Sequence, residues 1–262
     1  MTALVCFVLL LSLVSGSHAW RCQEGPTLNR ATQIDASKGQ VFASNVYNQN
    51  FFLNGVYWTY LHGPQRMKHI TTGDTGTWGV STKNQLYKMI GGNFTRVPGL
   101  SLSQVDAGGD GLLVGSTGSR AYCLRTAYAR AFKGAGSVSW SALPAYSLKY
   151  YSCGLYGCWG VDTIGRVFHT RSVNPNSCSQ TGWQVVSSGS LKMKMVEAAS
   201  NGLVFGLSTD GKVYLRAGVN AGRTHGTFWS NIPMGVAMRH LSYDLGRLWV
   251  VSNAGNIMFC MH

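Results

Sequence analysis

The sequence predicts an all-β protein, a six-bladed β-propeller of four-stranded blades closed by its own N-terminal strand. Three observations carry this. Glycine is abundant, 33 of 262 residues, while charged residues make up only 12%, about half the roughly 25% usual in soluble domains. An aromatic-to-aromatic step of nine residues recurs six times across a turn. All eight tryptophans fall on two positions of that recurrence. At 45% hydrophobic residues the chain is too apolar to be disordered. It is also too rich in Gly, Ser, Thr and Tyr for a helical bundle.

Residues 3 to 14 form an apolar run, and Ser17 and Ala19 stand at −3 and −1 before Trp20. This predicts a secretory signal peptide over 1–19, although no Lys or Arg precedes the run. The run is too short to span a bilayer, and no other stretch approaches that length. A soluble mature chain over 20–262, forming one propeller domain, is therefore expected in the extracellular, oxidising environment.

The hairpins open at Phe42, Trp78, Leu113, Trp159, Phe205 and Trp249, so the steps between them are 36, 35, 46, 46 and 44. Each joins two apolar runs through a turn such as Ser208-Thr-Asp-Gly-Lys212 or Asp162-Thr-Ile-Gly-Arg166, the pattern of a β-hairpin. Between hairpins comes a second aromatic, usually followed by an aliphatic and a turn residue: Trp58, Phe94, Trp140, Trp183 and Trp229. From this aromatic to the next hairpin is 20, 19, 19, 22 and 20 residues. With an inner apolar strand such as Met67–Thr72 or Met193–Ala198, each repeat holds four strands in about 40 residues, the signature of a propeller.

Blade six runs out of chain before its outer strand, and Trp20-Arg-Cys-Gln-Glu-Gly25 has the missing spacing. It is expected to pair with the last strand, Asn256 to Met261, which places Cys22 beside Cys260 as a disulfide. Cys6 leaves with the leader, so six cysteines remain, an even number that suits three bridges. Cys153 and Cys158 flank a four-residue loop between adjacent strands and are paired; Cys123 and Cys178 follow by elimination. No second pair or nearby His accompanies Cys153 and Cys158, which argues against zinc.

Trp-Gly-Val opening a hairpin, a Gly turn, an aromatic near an Arg as in Tyr214-Leu-Arg216, and then Trp-x-x-Φ-x-Gly together resemble the tectonin repeat. The resemblance covers the whole mature chain and is greatest to the fish-egg lectins, with horseshoe-crab tectonin lectins more distant. It implies a secreted propeller that binds N-acetylglucosamine-type sugars and microbial envelope glycans without catalysis. It also implies sugar sites in crevices between blades, notably the second and third and the fourth and fifth. No cofactor is required, and a structural calcium in the channel is compatible with it. Ala43-Ser44 for Gly-Val, Met258 for the aromatic, and Phe94 and Ala145 for Trp and Gly depart from the pattern and argue against six equal sites.

No nucleophile elbow, metalloprotease motif or phosphate-cradling loop is present. The nine acids read as single residues in or beside turns, Asp106 and Asp110 included. They do not announce the paired carboxyls of a glycoside hydrolase. The once-per-blade tryptophans read as packing. The candidate carbohydrate contacts are polar residues on turns and strand ends that differ between blades. These are Asn84, Arg120 and Arg125 near the second and third blades, and Asp162, Arg171, Asp210 and Arg216 near the fourth and fifth. Each reads equally as a solvated turn or a salt bridge between blades. The histidines show no ligand spacing.

The net charge of +13 belongs wholly to the mature chain. Secretion and the lack of a recognition motif argue against nucleic acid, leaving lipopolysaccharide or other anionic envelope glycans as the partners that suit a basic surface. Asn93-Phe-Thr95 is a glycosylation sequon. Pairing into a homodimer would add avidity. The reading from a different class is a structural or protein-interaction propeller.

Overall fold

The computed structural model describes residues 20–262 except 64, 110, 144–145 and 187–188. The leader, with Cys6, and the positions Asp110 and Ala145 lie outside the described residues. The strands form six four-stranded antiparallel sheets, each in simple sequential order from inside to outside except the last. The first blade shows the plan: Ala31–Ser37 inside, then Gln40–Asn45, Asn50–Asn54 and Tyr57–Tyr60 outside. The last blade takes Met238–Asp244, Arg247–Ser252 and Ile257–Met261 from the C-terminus and Arg21–Glu24 from the N-terminus. Cys22 lies directly opposite Cys260 in that pairing and is bonded to it. The Cys123–Cys178 and Cys153–Cys158 bridges also form as expected.

Apolar side chains gather into six clusters, each bridging two adjacent blades. Trp78, Trp159 and Trp249, which open hairpins, are almost wholly buried there. The glycine after the hairpin aromatic has a steric cause. A Cβ at Gly160 would lie 2.5 Å from Leu148 Cδ1, and one at Gly206 2.8 Å from Met193 Cε and 2.9 Å from the Trp229 ring. The inner-strand side chain and the outer aromatic both cross that spot. The first blade departs from the motif consistently: its inner residue is the small Ala31, and Ala43 stands where the glycine would be.

The inner strands carry a pattern that the aromatic repeat does not show. The acids were expected in turns, but Asp35, Asp106 and Glu197 lie on the inner strands of the first, third and fifth blades. Thr71, Ser152 and Ser242 occupy the corresponding place in the second, fourth and sixth. Each acid reaches the next blade. Asp35 accepts from the Thr72 N–H at 2.8 Å, Asp106 from the Cys153 N–H at 3.1 Å, and Glu197 from the Ser242 hydroxyl at 2.9 Å. Each hydroxyl accepts from the blade on its other side: Thr71 from the Ala107 N–H, Ser152 from Ala198 and Ser242 from Ala36, all at 3.0 Å. Gln33 and Gln104 add two-bond clamps on the backbones of Ile70 and Tyr151. An inner strand has an unpaired edge, and buried backbone groups must find partners. These side chains supply them.

Burial pushes the acids of this ring upward, Asp106 to about 6 from 3.8. A carboxyl that holds its proton more tightly when folded favours the fold at low pH and loses that contribution as pH rises from about 4 to about 6. In urea denaturation at pH 4 to 7, the stability of the wild type minus that of Asp106→Asn should fall as pH rises. Replacing both Cys22 and Cys260 with Ser opens a loop of 238 residues. It should lower the unfolding free energy by about 2–5 kcal/mol in the same measurement under non-reducing conditions.

Candidate functional site

The connections between third and fourth strands are long in the third, fourth and fifth blades, running over 125–140, 171–183 and 217–228. Each bends back over the preceding blade. The first carries the short helix Thr126–Ala131. Beneath it Lys88 donates to the carbonyls of Ala129 at 2.6 Å and Phe132 at 3.2 Å, filling the gap between the second and third blades. Burial lowers the pKa of this ammonium. The second loop is tied down by Cys178–Cys123. The third turns at Asn220–Arg223, and between it and the fourth blade lies an open crevice of about 450 Å³.

His169, Arg171, Thr181, Trp183, Gln184 and His225 line the crevice, with Gly182, Ala221, Gly222 and Thr224 completing the wall. The lining contains no carboxylate. His169 is held in one tautomer: it lies 3.2 Å from the Tyr156 carbonyl through Nε2, which must donate, so Nδ1 accepts from the Gln184 amide at 3.4 Å. Burial pulls this imidazole down to about 4, so it is neutral at pH 7. Trp183 stands edge-on to the buried Tyr151, its ring centroid 5.3 Å away, and its indole N–H donates to Gln180 at 2.9 Å. That leaves a half-buried ring on the crevice wall beside an exposed guanidinium, an amide and hydroxyls. Such an arrangement can meet the apolar face and the polar rim of one pyranose.

The seven sequence-predicted contacts divide between two opposite faces. Antiparallel strand order puts Arg125, Arg171 and Arg216 at the ends of third strands on the crevice face. Asn84, Arg120, Asp162 and Asp210 sit in second-to-third-strand turns on the other. Arg171 lines the crevice. Arg216 lies buried behind it, donating to the His225 carbonyl at 2.9 Å and stacked over Trp229. Arg125 precedes the short helix and lies 5.9 Å from the Tyr128 ring. On the opposite face Asp162 caps its own turn, accepting from the N–H groups of Ile164 and Arg166 and from the Arg166 guanidinium. Asp210 pairs with Lys212 at 2.9 Å. Asn84 adopts a φ of 62° and accepts from Lys68, while Arg120 is exposed in its turn. Trp183, Gln184, His169 and His225 were missed, because the repeat explains the first by packing and nothing marks the others.

Among the described residues, no three His, Cys, Asp or Glu side chains are grouped to hold a metal ion. Each channel carboxylate accepts a hydrogen bond from a neighbouring blade.

The molecule is thus a repeat propeller with six unequal blades and a loop-walled polar crevice between the fourth and fifth. The tectonin domain model matches residues 30–253, and the chain belongs to the tectonin family. A fish-egg lectin of Cyprinus carpio is 37% identical over 160 residues, a match spanning 60% of this chain and 66% of that lectin. Solved propellers are similar in fold alone. A calcium-binding protein, regucalcin, from Agrobacterium tumefaciens superposes with a TM-score of 0.62 at 12% identity, covering 91% of this chain and 90% of its own. Virginiamycin B lyase from Staphylococcus aureus gives 0.59 at 11% identity, covering 93% and 99%.

Lys88→Met keeps the side-chain length but leaves the carbonyls of Ala129 and Phe132 without a donor. It should cost about 1–3 kcal/mol and speed amide hydrogen exchange over 126–134 ahead of the rest of the chain.

Proposed function

We propose that this chain is a secreted, non-enzymatic lectin whose crevice between the fourth and fifth blades takes an N-acetylglucosamine-type residue of a microbial envelope glycan. The observation that carries the reading is the crevice itself. The Trp183 ring, Arg171, Gln184 and two threonines surround a cavity with no acid in its lining. Pyranose recognition uses one apolar face against an aromatic ring and polar groups around the rim. Glycoside hydrolysis uses a pair of carboxyls, for which this wall has no counterpart. Membership in a family with a carp fish-egg lectin supports the same reading. The positive charge favours anionic glycans, whose capture a basic surface accelerates and salt weakens. Three disulfides fit an oxidising compartment. Asn93, exposed at the start of an outer strand, is available to carry a glycan.

A glycan array probed with the mature chain, followed by calorimetry on the best hit, tests this. Trp183→Ala and Arg171→Ala should each weaken binding at least tenfold with the fold intact by circular dichroism. The absence of wild-type binding to every N-acetylhexosamine and bacterial glycan would sink the reading.

A further inference from the structure

The face opposite the crevice carries a second arrangement, around the mouth of the central channel. In five blades the inner strand begins with a bulge, where one residue is skipped in the pairing with its neighbour. The skipped residues are Thr32, Lys68, Lys149, Lys194 and Arg239. Thr32 turns its hydroxyl back onto the Ser44 carbonyl of its own blade, and Ser103, at the equivalent place in the third blade, does the same to Ser116. The other four are cations. Lys194 reaches the Arg239 carbonyl on the neighbouring inner strand at 2.9 Å, and Lys68 donates to the Asn84 amide oxygen of its own blade at 2.6 Å.

In the second, fourth and sixth blades each cation is followed by a ring: Lys68-His69, Lys149-Tyr150 and Arg239-His240. Strand alternation directs the three rings inward, just below the cations. Their centroids form a triangle with sides of 6.0, 5.9 and 6.4 Å that closes the axis. His69 is only 9% exposed, yet neither of its ring nitrogens has a hydrogen-bond partner. The acids Asp35, Asp106 and Glu197 lie one layer deeper, past the rings, and are engaged by neighbouring blades. Asp162 acts on Lys149 but is committed to its own turn and Arg166, while Glu197, Asp106 and Asp35 act on the Tyr150 ring from the deeper layer.

We infer that this mouth is an anion site for a phosphate monoester carried by a glycan, separate from the crevice and on the opposite face. Lys68, Lys149 and Arg239 stand on every second blade, matching the three terminal oxygens of a phosphate. Lys194 adds a fourth charge, and His69 offers a buried ring nitrogen at the floor. Charge-assisted hydrogen bonds to phosphate are the strong kind, and the ring plug admits a terminal group without letting a chain thread through. Partial burial lowers the pKa of Lys68, Lys149 and Lys194, and for Lys194 the nearby Arg239 and Lys149 add to this. An anion relieves that repulsion. The proposal does not depend on sugar binding in the crevice.

Calorimetric titration with glucosamine 6-phosphate, glucosamine and inorganic phosphate tests it. The wild type should bind the phosphorylated sugar at least tenfold more tightly than glucosamine and should also bind inorganic phosphate. Lys149→Gln with Lys194→Gln should abolish both effects while leaving the melting temperature unchanged or raised. Lys83→Gln with Arg120→Gln, in exposed turns on the same face, should leave them intact. The site is refuted if the wild type shows no preference for phosphate, or if both double variants lose it equally, which would mean diffuse surface charge. Loss on Trp183→Ala instead would move the phosphate to the crevice, overturning the channel mouth while sparing the lectin reading.

Discussion

Six inner strands facing a common axis pose one problem on which the rest of this molecule depends. Each has an edge with no seventh strand to pair with, buried where water is scarce. The chain answers with side chains: carboxylates and glutamines from one blade bond the backbone of the next, and hydroxyls bond the blade beyond. The ring is therefore held by polar contacts at the axis, by apolar clusters between the sheets further out, and by the Cys22–Cys260 bridge where the termini meet. Removing an axial acid does more than delete a bond. It leaves a donor stranded where nothing else can reach it.

The architecture was legible because a propeller repeats its sterics. Hairpin spacing, the tryptophan positions and the closing strand all follow from packing that recurs in every blade; the disulfides follow from ring closure, one short hairpin loop and elimination. The axial acids were not legible as such. Asp35, Asp106 and Glu197 are far apart in sequence and resemble turn residues until the strands that carry them are placed around one axis. The crevice was half visible. The steps of 46, 46 and 44 residues, against 36 and 35 earlier, already located extra chain in three blades. What that extra chain does depends on what lies under it: Lys88, a disulfide, or His169 with open space. Two of those residues look ordinary in the sequence. Arg171 was found because it breaks the repeat; Trp183 was missed because it obeys it.

The two faces divide the chemistry. On one side long loops build a pocket with an aromatic wall; on the other, cations stand around the channel mouth above a plug of three rings. The high positive charge, the least explained feature of the composition, thus acquires a partial location. Four of its contributors stand at bulges of the innermost strands.

The alternation of acid and hydroxyl around the axis has a consequence for how such a ring can change size. Each acid accepts from a backbone N–H or hydroxyl of the next blade, and each hydroxyl accepts from a backbone N–H of the acid-bearing blade beyond. Inserting or deleting a single blade would set two acids, or two hydroxyls, next to each other and leave one seam either repelled or unfilled. A ring wired in this way has parity: its unit of growth is the blade pair, although its unit of packing is the single blade.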